Sequence, residues 1–424
     1  MALSATLLAH DCLADVKSHF EFAPAGEATG NLTIGRGRAL AGAGRAHVPV
    51  FVAIIENKIA GGSLGVKECD KLASLFKVVA AQKSGLILYL DSAGARISEG
   101  LPALGAFRQM YRAALGAAAC GAPITVVCGA NCFGGASMLA ALANRRVYSA
   151  NTRFAMSGPS ILAQAAGISA LDDIFMAMSM ATINAESRAK LGVAESLATN
   201  SASMDLVPPV VNALVERHVL LGERLTQLKS SASSNTDGKL ERKDLVKLYP
   251  EGYRLEEKNG VLSGEAMFEG KAVMLAGFVG GKMLGAERAW RQAGALWKML
   301  APGSAAGSPQ RLHMLVDCES HSTSLDDERI MLSAYLADLA CALNALAQAG
   351  MHIETTVLGK VGGGVYVALC APVAKVNMLY GTEIQLLPGR AIASILGDVA
   401  LQKHEFDEYR SARVADQELK LGIL

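Results

Sequence analysis

The sequence predicts an α/β fold built as two tandem units related by internal duplication. Three observations predict it. Apolar strand runs alternate with helical stretches in each half, and the runs are continuous, as strands covered on both faces require. The same order of signals then appears twice. Between the two copies lies "LKSSASSNTDGKLERKD", residues 228–244, a polar, Ser-rich segment ending in charge, which is a linker composition. The predicted division is therefore 1–227, a linker at 228–244, and 245–424.

The elements follow in order. The first half opens with "VPVFVAIIENKIAGGSLG", a strand run closed by Gly61-Gly62. A helical stretch leads to "SGLILYLDSAGAR", a buried strand reaching Asp91. An alanine-rich helix leads to "APITVVCGANCFGGASMLAALA", which reads strand, glycine turn, helix, and "RRVYSANTRFAMSGPS" adds a short strand pair and a Gly-Pro stop. The second half repeats this with "KAVMLAGFVGGKMLG" and Gly280-Gly281, then "RLHMLVDCES" and Asp317. "MHIETTVLGKVGGGVYVALCAP" and "AKVNMLYGTEIQLLPGR" complete it. Gly134 and Gly363 lie 229 positions apart, Asp91 and Asp317 226, and Pro159 and Pro388 229. Nearly constant offsets of this kind mark a repeat, and predict that Gly134 superposes on Gly363 and Asp91 on Asp317.

Composition bounds the function. With 424 residues, 51% of them hydrophobic and 19% charged, the chain has ample core for two or three domains. A net charge of +1 gives neither nucleic acid nor a membrane surface an electrostatic handle. No apolar run reaches the length of a membrane span, and the N-terminus lacks a basic secretory start, so a cytoplasmic protein is expected. The eight cysteines are scattered without a C-x-x-C pair, which reads as small buried residues in a reducing compartment and not as a zinc site. The eight histidines do not cluster like metal ligands.

The glycine turns carry the candidate chemistry. A helix N-terminus presents backbone N–H groups without partners and positive dipole character. Glycines there let a ligand oxygen approach. Gly134-Gly135 and Gly363-Gly364 stand at two such helix starts, and Gly62 and Gly281 end the other two turns. Converging N–H groups make an oxyanion hole, in which one donor is worth about 2.7–4 kcal/mol. Taken singly, either motif is better explained by close packing of strand on helix, but four glycine turns in matching places point to two equivalent sites. Neither turn is a phosphate loop, since no Lys-Ser/Thr follows, and no G-x-S-x-G elbow appears. Ser92 and Ser137 are placed as cap or first-turn residues. His321 and Glu319 follow Asp317, where sites gather at strand ends.

"LDSAGARISEG", residues 90–100, closely resembles the D-S-G-G-A-R-x-x-E-G signature of carboxyltransferase subunits of acyl-CoA carboxylases. "CFGGAS" and "FAMSGPSIL", residues 154–162, stand in that family's order. The first half resembles the beta subunit and the second half the gamma subunit of biotin-independent malonate decarboxylase, over most of residues 45–200 and 258–400. The resemblance implies two crotonase-type (ClpP-like) ββα superhelix domains with the active site between the halves. Ala93 replaces a usual glycine, and "DCESHS" replaces a P-G-F segment. Neither a zinc ribbon nor an A-M-K-M biotin acceptor is found. These departures favour the decarboxylase.

The expected reaction is loss of CO₂ from a malonyl thioester, carried on the phosphopantetheine of an acyl carrier protein or on CoA, through a thioester enolate. Its oxyanion would be held by Gly134, Gly135, Gly363, Gly364, Gly62 and Gly281 without a metal or covalently bound cofactor. Candidate substrate-binding residues are Gly94, Ala95, Arg96, Ser137 and His321; Arg96 either holds the leaving carboxylate or locks its own turn. The alternatives are a biotin-dependent acyl-CoA carboxyltransferase subunit and a non-catalytic scaffold. Companion decarboxylase or transferase subunits and a homo-oligomer are expected partners, with the Met-rich stretch 171–185 as a contact.

Overall fold

The computed structural model describes residues 12–41, 46–167, 173–192, 194–199, 204–206, 213–226, 228, 238–239, 242–258, 261–300, 310–379, 381–387 and 411–412. Pro388 and most of the predicted linker lie outside these residues. The chain forms two compact units. The first gathers residues up to Ala213 together with Thr323–Ala334; the second holds Leu214–Ser322 and the strands that follow Tyr335.

The first unit carries one sheet. Its strands are β1 (Ala23–Pro24), β2 (Leu32–Ala41), β3 (Ala46–Ile55), β4 (Gly85–Ser92), β5 (Ile124–Phe133), β6 (Arg145–Tyr148), β7 (Arg153–Ala155) and β8 (Glu195–Leu197). They lie in the order β1-β2-β3-β4-β5-β6-β8, with β7 also on β5. β2 and β3 form an antiparallel pair, and from β3 onward the pairing is parallel. Parallel neighbours need crossovers, which the helices Val66–Gln82 and Gly100–Ala119 supply. Every residue of β4 is buried, which explains its unbroken apolar run. β5 bends partway along: Cys128 pairs with Tyr148 of β6, while Asn131 already pairs with Arg153 of β7. The expected short strand pair is thus two strands laid end to end along β5.

The second unit repeats the plan. Its strands are β9 (Gly238–Lys239), β10 (Tyr253–Lys258), β11 (Val261–Phe268), β12 (Lys271–Gly281), β13 (Arg311–Cys318), β14 (His352–Gly362), β15 (Lys375–Met378), β16 (Glu383–Gln385) and β17 (Ser411–Ala412). The order is β17-β16-β14-β13-β12-β11-β10-β9, with β15 on β14. β11 and β12 are antiparallel, and β12-β13-β14 run parallel across helices Ala286–Met299 and Leu332–Gln348. β14 bends as β5 does, pairing Val357 with Met378 of β15 and then Lys360 with Glu383 of β16. The duplication read from the sequence is therefore a repeat of topology and of bend.

Buried aliphatic side chains fill each unit separately: Val52, Ile54, Ile87 and Val127 in the first, Leu255, Leu275, Val279 and Leu315 in the second. All eight cysteines are free thiols, seven of them buried. Helix Asp173–Ile183 leaves Ile174, Met176 and Met178 exposed. No helix among the described residues is long and apolar enough to cross a membrane.

Candidate active site

The two aspartates do the same work. The Asp91 carboxylate accepts the Ala130 N–H at 3.1 Å and the Asn131 N–H at 3.0 Å. Both lie where β5 passes from pairing with β6 to pairing with β7. A side chain at Gly129 would collide with Asp91. In the second unit Asp317 Oδ1 accepts the Lys360 N–H at 3.3 Å, and Gly359 leaves the room for it. Asp317 also meets Arg242 Nη1 at 3.1 Å, a partner Asp91 lacks among its observed bonds. Both aspartates are structural acceptors at a bend, which places the turns that follow them.

The Gly61-Gly62 turn packs against the turn after Asp91. The Gly62 N–H donates to Ile59 O at 3.0 Å, so it is not free for a ligand, which corrects its expected role as an oxyanion donor. A Cβ on Gly62 would lie 2.0 Å from Asp91 O, so close backbone packing is what requires glycine here. Asn31 staples the turn: its side chain accepts from Ile59 N at 2.8 Å and donates to Ser63 O at 2.8 Å. Leu64 then pairs with Ala95, which makes Ala95 part of the scaffold. Arg96 ion-pairs with buried Glu68, meets Glu99 at 2.6 Å and donates to Ser63 O at 2.8 Å. These contacts tie Arg96 to its own turn, the second of its two expected roles, and leave the first to a substrate-binding test.

The helix Gly135–Ala141 starts beside this assembly. Gly134 adopts φ 56°, ψ −128°, a conformation open to glycine, and its N–H donates to Ala155 O at 3.1 Å. Gly134 is thus a hinge and not a donor, again a correction. Ser137 is fully buried and its hydroxyl donates to Gly134 O at 2.8 Å, so it is engaged in holding the turn. Gly135 is required by Phe107: a Cβ there would stand 2.6 Å from the ring. What remains are the first N–H groups of the helix, at Gly135 and Ala136, which have no carbonyl one turn earlier. Gly94, at φ 92°, lies over them. A Cβ on Gly94 would sit 3.1 Å from Gly135 N and 3.7 Å from Ala136 N. The same Cβ would stand 3.1 Å from Phe133 O, so only glycine at 94 lets the two turns come this close.

The second unit departs from the first. Its strand β14 runs directly into helix Gly363–Cys370, with Gly362 at φ −111° as the cap. The left-handed turn of Gly134 has no counterpart there, so Gly134 and Gly363 are not conformational equivalents. A Cβ on Gly363 would come within 2.6 Å of Leu386 O, a packing requirement. Gly364 is the second residue of the helix. Gly280 and Gly281 have φ 91° and 69° with open space on their side-chain side. His321 pairs with Leu284 as Ala95 does with Leu64. Burial lowers the His321 pKa to about 4, so it is neutral at pH 7 and is not the positively charged group a carboxylate would seek.

Several residues in these assemblies carry no sequence motif: Asn31, Glu68, Phe107, Arg188 and Glu328. Glu328 is fully buried and accepts the Ser157 N–H at 2.9 Å and the Met156 N–H at 3.2 Å. A Ser-capped acidic run, "SLDDER", is the only local signal, and it does not say which carboxylate turns inward.

Residues 9–190 match the family model described as the carboxyl transferase domain. No curated protein matches the chain. Among solved structures, transcarboxylase 12S with hydrolysed methylmalonyl-coenzyme A bound is 17% identical, with 97% of this chain and 84% of that chain covered and a TM-score of 0.36. A Pseudomonas malonate decarboxylase hetero-tetramer in complex with malonate is 23% identical, covering 48% and 76%, at a TM-score of 0.40. The beta subunit of P. aeruginosa geranyl-CoA carboxylase is 16% identical, covering 93% and 73%, at 0.31. At these scores the three likenesses carry no argument, and the assignment rests on the matched residues, which contain the Asp91 bend, the Gly94 turn and the Gly134 hinge. Over residues 9–190, somewhat under half of its length, the chain is similar to the carboxyl transferase domain family.

Proposed function

We propose that the chain decarboxylates a malonyl thioester, as a malonate decarboxylase beta/gamma-type subunit. The observation that carries this reading is the start of helix Gly135–Ala141, against which Gly94 presents no side chain. Loss of CO₂ places negative charge on the thioester oxygen. Main-chain N–H groups at Gly135 and Ala136 would bind that charge more strongly than the neutral thioester, and only such a difference lowers the barrier. Proton delivery to the enolate then completes the reaction. The thioester carrier is CoA or the phosphopantetheine of an acyl carrier protein, and companion subunits and a homo-oligomer are the expected partners; the proposed domains, 1–227 and 245–424 about a linker at 228–244, are amended by the compact units, which part after Ala213 and place Thr323–Ala334 with the first.

The family description favours a second reading, transfer of the carboxyl group to or from biotin. One assay separates the two: malonyl-CoA and malonyl-carrier-protein turnover by the purified chain, with and without avidin. Turnover insensitive to avidin supports decarboxylation. Turnover that needs biotin and stops with avidin overturns it in favour of transfer, and no turnover of either thioester refutes both.

A further inference from the structure

We propose that Glu328 is a positioning residue whose carboxylate sets the Met156–Ser157 turn behind the Gly134 hinge, so that its ionisation state decides whether that hinge is held. The catalytic consequence rests on the decarboxylase reading above; the positioning itself does not.

The connections run from Glu328 to the glycine turn without a gap. Its two oxygens accept Ser157 N–H at 2.9 Å and Met156 N–H at 3.2 Å. Met156 Sδ lies 3.4 Å from Ser137 Oγ, which donates to Gly134 O at 2.8 Å. Ala155 O, one residue before Met156, accepts the Gly134 N–H at 3.1 Å. Arg188, also fully buried, anchors the far side: Nε donates to Phe154 O at 2.9 Å and Nη1 to Glu328 O at 2.7 Å. Residues 154–157 are therefore held by one cation and one carboxylate, and they in turn hold Gly134.

The charge environment makes that carboxylate responsive. Burial raises its pKa to about 7, against the Arg188 guanidinium and the two N–H donors, which favour the ionised form. Arg188 Nη2 stands 3.9 Å from Oε2. Asp327, on the same short helix, adds a like charge, and the other two charged residues there, Asp326 and Arg329, pair with each other at 2.7 Å. Helix Asp173–Ile183, which packs on Leu325–Arg329, carries Asp173 as its one charged residue. An ionised carboxylate makes hydrogen bonds roughly twice as strong as a neutral acceptor. On protonation, the oxygen that takes the proton turns from acceptor towards donor opposite the single N–H it faces, the other oxygen accepts more weakly, and the turn is loosened.

The test has two arms on the full chain. Selective ¹⁵N-methionine labelling follows the Met156 amide, assigned through Met156→Leu, between pH 5.5 and 8.5. The expected result is a resonance that titrates with a midpoint near 7 in the parent and stays still in Glu328→Gln. A stationary Met156 amide in the parent, or an unchanged titration in the variant, overturns the proposal. The second arm measures malonyl-thioester turnover across the same range. The expected kcat falls roughly fivefold from pH 7 to pH 6 with KM unchanged, the behaviour of one essential base, and Glu328→Gln flattens that limb. An amide that titrates beside a kcat that does not would refute the link to catalysis. Absence of turnover refutes the decarboxylase reading and leaves the amide to decide the positioning. If Glu328→Gln does not fold, Glu328→Asp, which withdraws the carboxylate by one methylene, must displace the midpoint.

Discussion

Replacing Gly135 by alanine puts a methyl group 2.6, 2.8 and 3.1 Å from three outer atoms of the Phe107 ring. Ordinary contacts of this kind begin near 3.4 Å, so the ring must move, and Phe107 is packed with almost no exposure on helix Gly100–Ala119. Overpacking of this size costs about 1–3 kcal/mol. Alanine in place of glycine at a helix start returns less than about 1 kcal/mol, so Gly135→Ala should destabilise by about 1–2 kcal/mol. Phe107→Leu removes the ring atoms in question and leaves a hole, a loss of about 1–2 kcal/mol, well under the about 3–5 of Phe→Ala. Combined, the methyl enters the vacated space, and the two changes should cost about 1–2 kcal/mol less than their sum. Urea denaturation of the four proteins measures this, read at the transition of the first unit because two units need not unfold together. Decarboxylation is followed alongside. The double variant keeps the Gly135 N–H and should recover the turnover that Gly135→Ala loses. Additivity within about 0.5 kcal/mol would refute the account of why position 135 is glycine. A stable double variant with no turnover would count against the amide as the oxyanion donor.

Three further outcomes are expected. Asp91→Asn offers one acceptor to two N–H groups, at Ala130 and Asn131, and should cost about 1–3 kcal/mol in a urea midpoint comparison. Arg96→Ala strips the guanidinium from buried Glu68 and should cost about 3–5 kcal/mol; if Arg96 only locks its turn, the folded fraction keeps the parental KM. Glu328 has a folded pKa of about 7, above its ordinary 4.5, so the cost of burying its charge is absent below pH 4.5 and grows as pH rises to 7, although the charged form makes the stronger hydrogen bonds to Met156 and Ser157. Between those limits the parent should lose up to about 3 kcal/mol relative to Glu328→Gln, seen in paired denaturation series.

The alternation of elements and the repeat were legible because both are local. A strand buried on both faces has to be apolar throughout, as "GLILYL" is, so the aspartate that ends each such strand was legible as its terminus, but the neighbouring bend that it holds was not. The glycines were legible as glycines but not as to cause. Gly62 answers to Asp91 O, Gly135 to Phe107 and Gly363 to Leu386 O, and each partner is brought in by the fold from far along the chain. Glu328 was hidden for the same reason. It stands 171 residues from the amide of Ser157 that it receives, and nothing in an acidic helical run marks which carboxylate will lose its water.

The excursion of Thr323–Ala334 into the first unit bears on how such a chain can be divided. In a protein made of two separable subunits, a gene break would fall in the polar stretch after residue 227. Here a fragment ending there would lack Glu328, and the Arg188 side chain would lose both the carboxylate and the Glu328 carbonyl that it binds at 2.7 Å. The first half borrows a piece of the second for its own interior. Fragment complementation should therefore yield folded first half only when the second is made in the same cell, and the continuous chain guarantees that supply at a fixed ratio of one to one.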